Sequence, residues 1–303
     1  MICAVLSVTT LNTITTPTRK TFHTGEIELS YLEWSAAVQM EAGQNAKSPV
    51  LLLHGLADHA GVWEPLATML ASTHPVVAPD LRGHGNSSKP DNGYDCDRIL
   101  ADLSSLMDHL GWASAHIIGH SWSAKLACIW ATRHPEKFNR LVLVDPAFTG
   151  KFPGWTRITF PLFYRLLPFL KMMGPFKSYD DAETQAKALK QYRGWSDHQV
   201  RVFQDSIEQQ ADGTWKSKFC MAARDGVFED FTQVAGLNGT IHTPTLFIRP
   251  QQGLNRSNAQ LSAYQRSISQ LTIETVPGNH WAFLVEPESI NQKVSQFLSR
   301  EQG

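Results

Sequence analysis

Cysteine is scarce in this chain. Its four residues, Cys3, Cys96, Cys128 and Cys220, form no Cys-x-x-Cys pair and have no histidines at ligand spacing. That argues against a disulfide framework and against a zinc site, and reads the thiols as buried or idle groups of a reducing, cytoplasmic compartment. An excess of either charge is also missing, since 27 Lys and Arg stand against 28 Asp and Glu. Without a basic stripe interleaved with aromatics there is no electrostatic footprint for nucleic acid or an anionic membrane surface. Long apolar runs are absent too. The longest, over residues 160–173, is broken by Pro161, Arg165, Pro168 and Lys171 and falls short of the roughly 20 residues a membrane span needs. The first residues, Met1-Ile2-Cys3-Ala4-Val5-Leu6, carry no positive charge and run into a Thr/Asn-rich segment ending at Arg19-Lys20, a poor signal peptide. The expected partner is a small, uncharged or weakly charged molecule.

What is present is a core's worth of hydrophobic residues, 42% of 303, enough for one large sheet with an insertion. Strand-like segments fall at residues 27–34, 50–53, 76–78, 117–118, 141–144, 245–248 and 271–276. Helical stretches alternate with them, one of which runs from an Asp95 N-cap through Ile99, Leu103, Leu106 and Leu110 to a stop at Gly111. Such alternation predicts a mostly parallel sheet with its ligand site beyond the carboxyl ends of the strands. The stretch between the strands at 141–144 and 245–248 is longer than any crossover and rich in aromatics. It is expected to be a lid, with Trp155, Phe160 and Phe163 among the side chains that line a substrate cavity or pack the lid on the core. Asp225, Glu229 and Asp230 within it read as a solvated face.

The most informative segment is Gly119-His120-Ser121-Trp122-Ser123. It follows an apolar run and precedes a helix-like stretch, the strand–turn–helix setting of a nucleophile elbow, in which small residues two before and two after the serine let strand and helix approach while Oγ is lifted above the sheet. Gly119 meets that demand and Ser123 approximates it.

The segments LLLHGLADHAGVW (51–63), VAPDLRGHGNSSKP (77–90), IIGHSWSAKLA (117–127), LVLVDPA (141–147) and VPGNHWAFLVEPE (276–288) together resemble the α/β-hydrolase superfamily over about residues 20–300. The similarity is to its lidded branch of esterases, lactonases, dehalogenases, epoxide hydrolases and carbon–carbon bond hydrolases. The resemblance implies an α/β-hydrolase fold, a mostly parallel eight-stranded sheet flanked by helices with a helical lid inserted after strand 6. It divides the chain into an N-terminal extension (1–20), a core (21–148 and 241–303) and a lid (149–240). His280, in the loop after the last core strand, becomes the general base that a serine hydroxyl needs. Backbone N–H groups of Leu56 and Trp122 become the oxyanion hole, and Trp281 a substrate contact. His54, His84, Asp80 and Arg82 become structural groups of the turns. No cofactor and no metal is called for.

In one place the chain departs from the pattern. After the strand at 245–248, where most relatives carry the triad acid, it reads Arg249-Pro250-Gln251-Gln252-Gly253-Leu254-Asn255, with Gly253 at the usual position. Either the acid has moved, or the triad is incomplete and the protein is a weak enzyme or none. Asp145, one strand nearer the nucleophile, lies within reach because neighbouring strands are about 4.8 Å apart; some lipases and dehalogenases of the superfamily are similar. The expected activity is hydrolysis of an ester, thioester or lactone of a small, largely apolar acid through a seryl acyl-enzyme. The alternatives are a carbon–carbon bond hydrolase and a non-catalytic small-molecule receptor. A serine rather than an aspartate at position 121 speaks against dehalogenase and epoxide hydrolase chemistry.

Overall fold

Val50–Leu53, the strand β3, is buried along its whole length, as a strand covered on both faces must be. The computed structural model describes residues 16–35, 47–147, 150–151 and 172–300. Around β3 are arranged β1 (Thr18–His23), β2 (Glu28–Trp34), β4 (Val76–Pro79), β5 (Ala115–His120), β6 (Phe138–Val144), β9 (Thr245–Gln252) and β10 (Leu271–Asn279). They form an eight-stranded sheet in the order β1-β2-β4-β3-β5-β6-β9-β10. The β1–β2 and β2–β4 pairs are antiparallel, and every other neighbouring pair is parallel.

Alternate residues of the central strands feed two cores. Leu51, Leu53, Ile117, Leu141, Leu143 and Phe247 face the helices α2 (Cys96–His109), α3 (Trp122–Arg133) and α7 (Asn258–Ser267). Val50, Leu52, Ile118, Val142, Val144 and Ile248 face α1 (Glu64–Leu70) and α8 (Pro287–Leu298) on the other side. The helix stops are local chemistry: Asp95 accepts from the Arg98 N–H at the start of α2, and Gly111 ends it at φ +72°.

The sheet reaches further back than the sequence pattern suggested. β1 begins at Thr18, so Thr18, Arg19 and Lys20, read as the end of an N-terminal extension, belong to the sheet. Its side chains are nearly all exposed, hence no apolar alternation marks it; it is held by backbone pairing with β2, by Arg19 donating to Ser30 and to the buried Asp80, and by Phe22 stacked on His109. Between β6 and β9 the chain forms α4 (Tyr179–Lys187), α5 (Asp197–Ser206), the small hairpin β7 (Ile207–Gln209) and β8 (Trp215–Ser217), and α6 (Met221–Gln233). Trp155, Phe160 and Phe163 lie outside the described residues. Among the described residues no helix is long and apolar enough to cross a membrane.

Candidate active site

At the end of β5 the chain turns into α3 through Ser121, whose backbone is strained at φ 57° and ψ −117°, a conformation costing about 1–3 kcal/mol that the surroundings must enforce. A Cβ at Gly119 would stand 2.8 Å from the Ser123 carbonyl oxygen and 2.9 Å from the Ala124 backbone, so only glycine fits there. Ser123 is fully buried; its hydroxyl donates to Leu53 O (2.7 Å) and accepts from the His120 N–H (3.0 Å). A serine at the second small position therefore ties the elbow to the end of β3, a role beyond being small.

The histidine and acid expected from the sequence converge on this turn. His280 Nε2 lies 2.9 Å from Ser121 Oγ, and its Nδ1 lies 2.6 Å from Asp145 Oδ2. Asp145, at φ 41° just past β6, is fully buried. Its Oδ2 also accepts from the Leu254 N–H (2.8 Å), and its Oδ1 from the Asn255 N–H (3.2 Å) and Nδ2 (2.9 Å). Burial alone would raise this carboxyl, but the His280 contact and the Leu254 and Asn255 donors outweigh it and hold its pKa below the ordinary aspartate value. The loop that lacks an acid thus supplies donors to one. Gly253 is required by the same arrangement, because a Cβ there would lie 2.4 Å from Asp145 Oδ2. The carboxylate and a side chain at 253 compete for one space.

Register explains the convergence. β6 pairs in parallel with β9, Val144 opposite Ile248, and the Asp145 N–H donates to Ile248 O at 3.0 Å, so Asp145 leaves the sheet directly against the 253–255 loop. Trp122 is the first residue of α3, where N–H groups precede the intrahelical bonds. Leu56 follows β3 in the loop beside it, next to Ala57 at φ 64°. Both line, with Ser121 and His280, a cavity of about 270 Å³.

Other expected residues are structural. His54 is buried, donates through Nδ1 to Gly55 O and accepts from the Leu81 N–H; burial lowers its pKa to about 4. Asp80 accepts from the Ala60 and Asn86 N–H groups, and Arg82 grips Asp102 through two nitrogens at 2.6 and 2.9 Å. Three features were missed. His120, the residue inside the elbow motif, is buried and kept neutral by desolvation and the nearby His280; its Nε2 donates to His280 O at 2.9 Å. Val227, Phe228 and Phe231 of α6 form a wall of the cavity, readable only as an i, i+1, i+4 apolar face. Asp58, also in that wall, gave no signal beyond its place four residues after His54. Trp281 lines the cavity as expected. Asp225 and Glu229 are exposed, while Asp230 is half-buried.

The fold is that of an α/β protein with its cleft at the carboxyl ends of the strands. The sequence profile of the alpha/beta hydrolase fold matches residues 48–287. The chain belongs to that family and stands among its hydrolases. It is 24% identical to epoxide hydrolase 4 of Mus musculus, covering 86% of this chain and 75% of that one. It is equally 24% identical to 2-(acetamidomethylene)succinate hydrolase of Mesorhizobium japonicum, over 86% and 92% of the two chains. A solved structure of E-2-(acetamidomethylene)succinate hydrolase superposes with a TM-score of 0.77 at 22% identity, over 94% of this chain and all of that one.

Proposed function

We propose that the chain is a serine hydrolase that cleaves an ester, thioester or lactone of a small, largely apolar substrate through an acyl-enzyme. The observation that carries this reading is the hydrogen-bonded line from Ser121 Oγ through His280 to the buried Asp145, 2.9 and 2.6 Å long in its two links, at the floor of a cavity. In this reading His280 Nε2 takes the Ser121 proton as Oγ attacks the carbonyl carbon. Asp145 fixes the tautomer with hydrogen on Nδ1 and stabilises the imidazolium. The N–H groups of Leu56 and Trp122, with the positive end of α3 behind Trp122, stabilise the oxyanion. His280 returns the proton to the leaving group, and water then repeats the sequence to release the acid. His120 supports the base by holding the backbone of its loop.

The segment over 149–240 acts as a lid in this scheme, since α6 supplies Val227, Phe228 and Phe231 to the cavity; this apolar wall matches an apolar acyl group. The free thiols Cys96, Cys128 and Cys220 fit a reducing, cytoplasmic setting. A fluorophosphonate probe tests the mechanism, because it labels only an activated serine. Stoichiometric labelling of the wild type and none of Ser121→Ala is the expected pattern. Wild-type protein that is folded but unlabelled would leave the receptor reading in its place.

A further inference from the structure

Among the described residues that border the cavity, Asp58 is the one carboxyl. Asp58 lies in the loop that follows β3, two residues after Leu56, and lines the cavity together with Ser121 and His280. Its side chain is only 10% exposed, yet its Oδ2 has no hydrogen-bond partner among the described residues. Three groups face it. His120 Nδ1 stands 3.8 Å away and is itself unpartnered, because the His120 proton sits on Nε2, committed to His280 O. The Trp281 side chain donates toward the carboxyl, and the buried Tyr192 lies near enough to feel its charge. Desolvation outweighs the Trp281 contact and pushes the Asp58 pKa up to about 7.

A buried carboxyl left with an unmade hydrogen bond costs about 1–3 kcal/mol, more when charged. Such a group at a cavity wall is an invitation to a ligand atom. The ligand's chemistry follows from the surroundings. Lys190 and Arg256 also border the cavity, so a cationic group entering it meets two positive side chains. A second carboxylate beside Asp58 meets a like group. A hydroxyl both donates and accepts, so it pairs with either protonation state of Asp58, and both states are populated near neutrality.

We propose that Asp58 is the polar subsite of this cavity, hydrogen-bonding through its free Oδ2 a hydroxyl carried on the acyl part of the substrate, so that hydroxyacyl esters or thioesters are selected over plain alkyl ones. The inference rests on the hydrolase reading for the word substrate but not for its test. The Asp58 carboxyl lies 3.8 Å from the ring of His120, whose centroid is 4.5 Å from that of His280, and Asp58 and Ser121 border the same cavity of about 270 Å³, so one small substrate can meet both.

The test is binding without turnover. Ethyl 3-hydroxybutyrate and ethyl butyrate, matched in length, are titrated calorimetrically into the Ser121→Ala protein. The hydroxy ester is expected to bind roughly tenfold more tightly, and adding Asp58→Leu is expected to erase that ratio through loss of the hydroxy ester alone. Should that double variant fail to fold, Asp58→Ala removes the carboxyl without added bulk and is read the same way. Kd values within twofold of each other on Ser121→Ala, a ratio that survives removal of the carboxyl, or no binding of the hydroxy ester in the millimolar range would each overturn the proposal. Fluorophosphonate labelling of the wild type is scored separately, so an inert Ser121 and an indifferent Asp58 are distinguishable results.

Discussion

Gly253→Ala is expected to damage catalysis although it adds one methyl group to a loop. The new Cβ would fall 2.4 Å from Asp145 Oδ2, 2.8 Å from its Cγ and 2.9 Å from Oδ1, against a comfortable separation of about 3.5 Å. Something must move by about 1 Å. The Asp145 carboxylate is held by Leu254 and Asn255 from the same loop as the intruding methyl, so pushing the loop away drags its donors with it. The contact left to yield is the link to His280. A displacement of about 1 Å in catalytic geometry costs roughly 100-fold in rate, and overpacking a tight site costs about 1–3 kcal/mol of stability. The expected result is a kcat on p-nitrophenyl butyrate lowered roughly 100-fold with KM little changed and a Tm a few degrees lower. Gly253→Asp alone should be no better. Combined with Asp145→Gly, which empties the contested space at a φ of 41° that glycine adopts freely, it should recover activity relative to either single change. A Gly253→Ala enzyme with half the wild-type kcat, or a double variant no better than its parents, would refute the competition between the two positions.

Stability should fall on the acid side of neutrality. Burial lowers the pKa of His54 and of His116 to about 4 and that of His84 and His120 well below the ordinary value. The unfolded chain therefore binds protons that the folded chain refuses, and stability drops as pH falls from about 6.5 toward 4. Asp58, raised to about 7, opposes the trend with a single group. Thermal melts should show Tm decreasing stepwise from pH 7 to pH 5, and a flat profile would contradict the neutral, buried histidines. Phe231→Ala is expected to lower kcat/KM for a long-chain p-nitrophenyl ester roughly tenfold by removing apolar wall, with p-nitrophenyl acetate within about threefold of wild type; equal losses on both esters would argue that α6 shapes the catalytic groups themselves. His120→Phe should lower kcat while leaving KM near wild type, since it releases the His280 carbonyl without touching the cavity's apolar wall; unchanged kcat would remove His120 from the support of the base.

The parts of the site that were readable from the chain are those whose chemistry is written locally. The elbow announces itself because Gly119, Ser121 and Ser123 satisfy a steric demand within five consecutive residues. His280 is found from a loop that ends a strand. Asp145 required one step of register, which the parallel order of strands supplies. Legibility stopped where a role depends on distant partners. Asp58 and His120 acquire theirs only when the loop after β3, the end of β5 and the His280 loop are brought together, and no spacing along the chain encodes that meeting. The edge strand β1 escaped because it is paired through its backbone and its side-chain contacts, through Arg19 and Phe22, follow no alternation of burial. The cavity-lining Phe228 and Phe231 share α6 with exposed acids, so the helix looked like a solvated surface from its charges.

The hydroxyl of Ser123 joins Leu53 O at the end of β3 to the His120 N–H at the end of β5. One of these strands leads into the loop carrying Leu56, the other into Ser121. A single small side chain thus serves as a common datum for the attacking oxygen and for the donors proposed to receive the charge it creates. That bridge adds to the backbone pairing of β3 with β5, which ends at Leu53 opposite Gly119, and resists separation of the two strand tips. An oxygen atom placed away from the catalytic line thus helps set the distance between attack and charge stabilisation.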